Sequence, residues 1–579
     1  MLRLRTRGVR NPMRTARGFR MACLTLVFTL VAVGCAGPQR DASANGVRGG
    51  MLRVLSTQPD ITLDTVFPNF AIARAYARTL YGYNLSRPPE QQTVPVPDIA
   101  SGYQLSADQR TYTFRLRAGV RYAPPVNREV TSQDFITGIQ RFYDKKSPSG
   151  GGQLYAALIA GTAAFGAGKA TRISGLRAPD PRTLSITLDR PAGDFLSILT
   201  MPFFAPVPGE YAAHYRVGAN YDGHVVGTGP YYLTIYNPGR LIVLDRNSNW
   251  DPATDPLRKA WVDSIHIKLG VTIASIQRAI EREDADLSLT SHVPQSQLAA
   301  LRADPQRSRR LSVNPTACQL FLALGTHRAA GAIADVRVRQ AVNYAIDKVA
   351  YRDAIAGRYA ATGELASTIL APDSLGYHPY DLYPTPGGRG DPAKARALLA
   401  QAGYPKGLTL SFATLGSDRF AAARKPIEES LARAGIHLKT NLYKGDALYE
   451  KSLSIPAKRL EHQLGTTAWC PDFLGDNARG TIVPQYDSRL PSDVGGNFSE
   501  YNNPAVNRLI DRALAEPDRD RRAAMWTQVD QRIMQDAPLV PLVWENDSYL
   551  WASRVHGWVF DPWMSTPDLT AVSLDPPSP

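Results

Sequence analysis

Strand patterns recur along the chain. Met51-Leu52-Arg53-Val54, the set Tyr112, Phe114, Leu116, the set Leu184, Ile186, Leu188, the run Leu241 to Leu244, and the set Ile265, Ile267, Leu269 each predict a strand with a buried face. Between them the period lengthens. Thr131-Ser132-Gln133-Asp134 has the form of a capping box, after which Phe135, Ile139 and Phe142 fall on one helical face. From Asp335 onward, Val338, Ala341, Val342, Ala345, Ile346 and Val349 make one apolar stripe, which predicts a helix ended by Gly357. Asp391 as N-cap, Pro392 at the first helical position and Gly403 past the last residue mark another helix. A last amphipathic stretch runs from Arg519 to Gln535. Strands and helices are mixed throughout, which places the chain in the α/β class.

The N-terminal segment follows a different logic. Arginines at 3, 5, 7, 10, 14, 17 and 20, with no Asp or Glu among them, precede the mostly apolar thirteen-residue run 21–33. At 1.5 Å per residue a helix of that length is too short for a hydrocarbon core of about 30 Å, so residues 1–34 read as a signal peptide. Ala32-Val33-Gly34-Cys35 resembles a bacterial lipobox, with Ala32 where Leu is usual. That resemblance implies a diacylglyceryl group on Cys35. Residues 35–48, rich in Gly, Ala, Ser and Asn, then form a flexible tether. Acyl chains, each buried methylene worth about 0.8 kcal/mol, would hold the protein on the extracytoplasmic face of the cell membrane. No twin-arginine pair occurs in the n-region, which favours general secretion.

Composition narrows the class further. A chain of 579 residues holds several lobes, and 44% hydrophobic with 20% charged residues excludes both wholesale disorder and a bundle of membrane spans. The formal charge of +14 includes the seven leader arginines, which leaves a weak case for nucleic acid, and none is expected as a partner. Of four cysteines, Cys23 and Cys35 belong to the export segment; Cys318 and Cys470 remain for one disulfide in an oxidising compartment, two unrelated buried thiols being the alternative. Catalytic motifs are missing. The stretch from Gly161 to Lys169 has Ala163 and Ala170 where a phosphate-binding loop requires Gly and Ser or Thr. Neither a His-Glu-x-x-His helix nor a Gly-x-Ser-x-Gly elbow occurs, and the nine histidines are scattered. Arg302, Arg307, Arg309 and Arg310 read as a solvated face. The weight moves from catalysis toward binding, with an extracellular hydrolase as the distant rival.

The stretch from Asp335 to Lys348, DVRVRQAVNYAIDK, resembles the signature helix of the family 5 solute-binding proteins of ABC importers, the oligopeptide and dipeptide receptors. Gly49-Gly50-Met51-Leu52-Arg53-Val54, Gly227-Thr228-Gly229-Pro230-Tyr231, Asn247-Ser248-Asn249-Trp250, the pair Asp391-Pro392 through Ala402-Gly403-Tyr404-Pro405, and the closing Asp536-Ala537-Pro538-Leu539 follow in the family's order. The resemblance covers nearly everything from Gly49 onward. It implies a two-lobed periplasmic-binding-protein-like α/β fold (class II, cluster C) with an extra inserted subdomain. The first lobe would comprise residues 49–85, 226–317 and 535–579, the insert 86–225, and the second lobe 318–534. The implied protein is a monomer without catalytic residues, cofactor or metal. It takes a peptide into the cleft between lobes and delivers it to permease subunits.

Trp469-Cys470-Pro471-Asp472 is similar to a Trp-Cys-x-Asp element that lines the cleft of the family's oligopeptide receptors. The resemblance implies that Asp472 pairs with the ligand's α-ammonium, that Trp469 borders a side-chain pocket, and that Cys470 is bridged to Cys318 at the start of the second lobe. Phe473-Leu474-Gly475-Asp476-Asn477 follows where the family has Asp-Pro, so the pocket shape should differ. By a looser match, Pro68-Asn69-Phe70-Ala71 falls where the first lobe meets peptide backbone. Asn69 and Ala71 are therefore expected at the ligand, with Asn69 replacing an acidic residue. The peptide would add as an extra strand held by backbone hydrogen bonds. The alternatives within the same fold are an oligosaccharide, a metal chelate or a signalling peptide.

Overall fold

The computed structural model describes residues 46–66, 71–147, 155, 158–215, 219–359, 361–416, 418–444, 448, 453, 455–459, 461–490 and 496–576. The expected signal peptide, Cys35 and Asn69 lie outside the described residues.

The folded part begins with β1 (Met51–Leu55), whose Leu52 and Val54 are buried. The chain then leaves this sheet to build the insert. There β2 (Ala100–Leu105), β3 (Thr111–Leu116), β4 (Leu176–Asp180) and β5 (Thr183–Thr187) form an antiparallel sheet in the order β2-β3-β5-β4. Helix α1 (Ser132–Tyr143) covers one face of it. Its start is fixed as the capping pattern requires: the Thr131 N–H donates to Asp134 Oδ2 at 2.8 Å. Phe135, Ile139 and Phe142 are fully buried with Phe114, Leu184 and Ile186. The stretch from Gly161 to Lys169 contains a short helix over Thr162–Gly166, entered through Gly161 at φ +89°.

The chain returns through β6 (Tyr231–Asn237), β7 (Leu241–Arg246), β8 (Ser264–Lys268) and β9 (Leu287–Ser288), giving a first-lobe sheet in the order β9-β1-β8-β7-β6. Both neighbours of β1 run parallel to it. The long β10 (Leu311–Leu324) then leads into the second lobe.

There the expected single helix is two. Helix α2 (Val336–Ala345) stops where Ile346 adopts an extended conformation (φ −70°, ψ 126°), and α3 (Lys348–Tyr359) starts afresh. The reason is local: the Asp347 carboxylate accepts the Ala350 N–H at 2.8 Å, an N-cap bond that competes with helix continuation. Val349 therefore belongs to α3, and Gly357 lies inside that helix without ending it. The next boundary follows its sequence signals. Asp391 accepts the Lys394 N–H at 2.9 Å ahead of α4 (Pro392–Gln401), and Gly403 supplies the left-handed residue beyond, at φ +94°.

The second-lobe sheet adds β11 (Ala361–Leu365), β12 (Leu408–Leu415), β13 (Ile436–Tyr443), β14 (Leu464–Trp469) and β15 (Leu539–Leu550), in the order β11-β15-β10-β14-β12-β13. Helices α5 (Ala478–Tyr486) and α6 (Arg519–Asp536) lie between β14 and β15 in sequence. β15 lies in the stretch 535–579 that the resemblance assigns to the first lobe, and it is hydrogen-bonded to β10 from Leu311↔Leu550 to Ala323↔Leu539, with irregularities at Pro315/Gln319 and Leu320/Phe321. One end of the pair, Leu311 and Leu550, packs with Ile276, Ile280 and Leu298 of the first lobe. The other end, Leu320 to Leu324 and Leu539, Val540, Leu542 and Val543, enters the large core of the second lobe. Two antiparallel strands thus run from one core to the next.

Strand β14 lies antiparallel to β10 with Trp469 opposite Gln319. The residues just beyond that pair are Cys470 and Cys318, whose Cα atoms are 4.1 Å apart and whose sulfurs are bonded at 2.01 Å. The expected disulfide is present and closes a sequence separation of 152. In the chain-entropy account a loop of that length contributes about 5 kcal/mol. Replacing both cysteines by serine should lower the urea midpoint of second-lobe unfolding by a corresponding amount, measured beside the oxidised parent.

Candidate functional site

The segment after β14 leaves the second lobe and meets the other two bodies. Trp469 ends the strand; its indole N–H donates to Gly480 O at 2.8 Å, which pins it against α5. Gly496 lies against the same ring so closely that a Cβ there would fall 2.3 Å from it, and Phe498 approaches edge-on at 6.5 Å. Cys470 is exposed but fixed by the disulfide. Phe473 is fully buried in the core of the insert, and Leu474 packs with Tyr83 and Leu85. Gly475, at φ +71°, passes Thr93 O so tightly that a Cβ would sit 2.5 Å from that oxygen, a place only glycine fits.

Asp472 is held among these contacts, part-buried. The Tyr155 hydroxyl of the insert donates to its Oδ2 at 2.8 Å. The indole N–H of Trp563 donates to its backbone carbonyl at 2.6 Å. Trp563 lies in the hairpin between Phe560–Asp561 and Thr566–Pro567 and meets Tyr83 edge-on at 6.2 Å. The Tyr83 hydroxyl accepts the Leu474 N–H at 3.0 Å and lies 3.2 Å from Leu474 O. Asp472 is thus reached by the second lobe, the insert and the C-terminal hairpin at once.

Burial pushes the Asp472 carboxyl up to about 6, against the opposing effect of the Tyr155 hydrogen bond. No arginine, lysine or histidine among the described residues forms a salt bridge with it, whereas Asp194 pairs with Arg479 and Asp476 with Arg522. Among described residues this leaves a desolvated carboxylate whose only side-chain partner is a neutral hydroxyl. A cation brought to it would restore the missing charge at low solvation cost. Chemically, a carboxylate so placed is complementary to an ammonium or amidinium group.

The sequence-predicted residues divide as follows. Trp469, Cys470 and Asp472 are together. Ala71 is part-buried against the first-lobe core, and its carbonyl lies 3.4 Å from the Thr566 hydroxyl, so it supports the hairpin that carries Trp563. Tyr155, Trp563 and Tyr83 were not anticipated. Tyr155 is a lone aromatic near the glycines at 150–152 and 161, and Trp563 follows an Asp-Pro pair; neither carries a periodicity that marks a site. No group of three or more His, Cys, Asp or Glu side chains able to hold a metal occurs among the described residues. No helix among them is long and apolar enough to cross a membrane.

Comparison with known proteins places this geometry in context. The sequence pattern described as bacterial extracellular solute-binding proteins, family 5 Middle, matches residues 94–481. Heme-binding protein A of Haemophilus influenzae is 28% identical over 80% of this chain and 82% of its own. The dipeptide-binding protein of Escherichia coli is 26% identical over 81% of this chain and 84% of its own. Among solved structures, clavulanic acid biosynthesis oligopeptide binding protein 2 superimposes with a TM-score of 0.83 at 29% identity, covering 93% of this chain and 96% of that one. The arrangement is the family's two-lobed fold, and this chain belongs to family 5 of the bacterial extracellular solute-binding proteins.

Proposed function

We propose that this protein is a lipid-anchored receptor on the extracytoplasmic face of the membrane that captures short peptides between its lobes and delivers them to an ABC import permease. The observation that carries the reading is Asp472: a part-buried carboxylate without a cationic partner among the described residues, at the meeting point of second lobe, insert and C-terminal hairpin. A peptide α-ammonium supplies the missing charge. The backbone of the peptide pairs with protein main chain, and side chains enter pockets where water adjusts to each one. Asn69 and Ala71 belong to the first-lobe wall in this reading. The names of the dipeptide-binding and oligopeptide-binding relatives favour peptide over the other cargoes. Lipidation at Cys35 rests on the lipobox-like Ala32-Val33-Gly34-Cys35.

Isothermal titration calorimetry with free and N-acetylated peptides of two to five residues tests this. Asp472→Asn should weaken free peptides by about a hundredfold or more, as loss of one partner of a buried charge pair does, and N-acetylation should do the same to the parent. Equal affinity of parent and variant for free peptides would sink the ammonium role.

The raised carboxyl adds two pH effects. Ligand-free Asp472 ionises with a pKa of about 6, and only the ionised form matches an ammonium. Peptide affinity should therefore fall about tenfold between pH 7 and pH 5, in proportion to the competent fraction. Stability moves the other way. The folded carboxyl holds its proton more tightly than the unfolded chain does, so its contribution is favourable at low pH and is lost as pH rises through 6. At pH 8 Asp472→Asn should be more stable than the ligand-free parent by about 3 kcal/mol, and at pH 4 the two should unfold together in urea.

A further inference from the structure

Beside Asp472, four charged side chains meet across the junction of insert and second lobe. Asp194 of the insert receives two bonds from Arg479 of α5, one of them Nη2 to Oδ1 at 2.9 Å, and the side chains are only 5% and 11% exposed. Asp476, three residues before Arg479, is bonded by Arg522 of α6, whose side chain is 4% exposed. Arg522 also donates to the carbonyls of Glu516 and Pro517 at 2.8 and 3.0 Å, which fixes its guanidinium in place. Gly193 of the insert rests on that guanidinium: a Cβ added there would fall 2.0 Å from Nη1. At the solvent edge of the same junction, Arg190 reaches Asp511 at 3.4 Å.

These contacts are made by protein groups alone, and Asp194–Arg479 and Arg190–Asp511 each have one partner on either side of the cleft. A desolvated ion pair contributes little compared with a well-packed apolar contact, but removing one partner leaves an unpaired buried charge at heavy cost. Such a pair therefore discriminates between arrangements. With both partners present and aligned the lobes can meet. With one missing, the surviving charge is driven toward water and the lobes part.

We propose that Asp194, Arg479, Asp476 and Arg522 form a charge latch, keyed by Gly193, that sets the ratio of closed to open protein. The latch acts on closure itself and does not depend on what the cleft carries.

Small-angle X-ray scattering of the purified protein, stripped of cargo by unfolding and refolding, tests it without any peptide. The parent should scatter as a compact particle. Asp194→Asn and Arg479→Gln should each expand it, the closed-to-open ratio falling about a hundredfold. The double variant D194N/R479Q should return toward the parent, because no unpaired charge remains. Gly193→Ala leaves every charge in place and should also expand the particle, which keeps the test available if a charge variant folds poorly. Superimposable profiles for the parent, Gly193→Ala and whichever single charge variants fold would overturn the latch, as would a double variant more open than either single one. Failure of peptide binding would touch neither result.

Discussion

The antiparallel pair β10 and β15 is the constraint on which the rest of the molecule depends. Its ends are buried in two different cores, so the lobes are joined by hydrogen-bonded ribbon where a loose linker would leave their orientation free. The ribbon also sets the position of β14, which pairs with β10 through Gln319 and Trp469 and thereby brings Cys470 opposite Cys318. The segment that follows departs from this point toward the insert, where Phe473 is buried. A ladder irregularity between Pro315 and Gln319 lies between the two buried ends, where a bend costs the fewest ladder bonds.

What the ribbon positions is a carboxylate with a deliberate deficit of partners. Around Asp472 the protein supplies two aromatic donors, Trp563 to its carbonyl and Tyr155 to its carboxylate, yet among the described residues it balances the charges of Asp194 and Asp476 and not that of Asp472. Burying an acid in this way costs folding free energy, which appears as its raised pKa. In the proposed receptor, complementarity is withheld from the empty protein and reserved for a guest.

Much of the architecture was legible in the sequence because strong local signals agreed with tertiary demand. Thr111–Leu116 and the capping of Ser132–Tyr143 and Pro392–Gln401 match their patterns residue by residue. The stripe from Val338 to Val349 misled because apolar spacing continues across Asp347, while the backbone obeys the side-chain cap that interrupts it. The extent of β15 was missed since strand pairing across more than two hundred residues leaves no local trace. Of the candidate site, the Trp469 to Asp472 element could be read by resemblance. Tyr155 and Trp563, which hold it from other bodies, could not, because their roles exist only after the chain has folded.

The burial of Phe473 has a thermal consequence. Its ring belongs to the second-lobe chain but is fully enclosed in the insert, so any separation of the lobes draws an aromatic face into water. Exposed apolar surface raises heat capacity by about 0.45 cal/K/mol for each Å². In the proposed receptor, closure therefore carries a negative heat-capacity change whatever it encloses, and the enthalpy of capture grows more favourable as the surroundings warm.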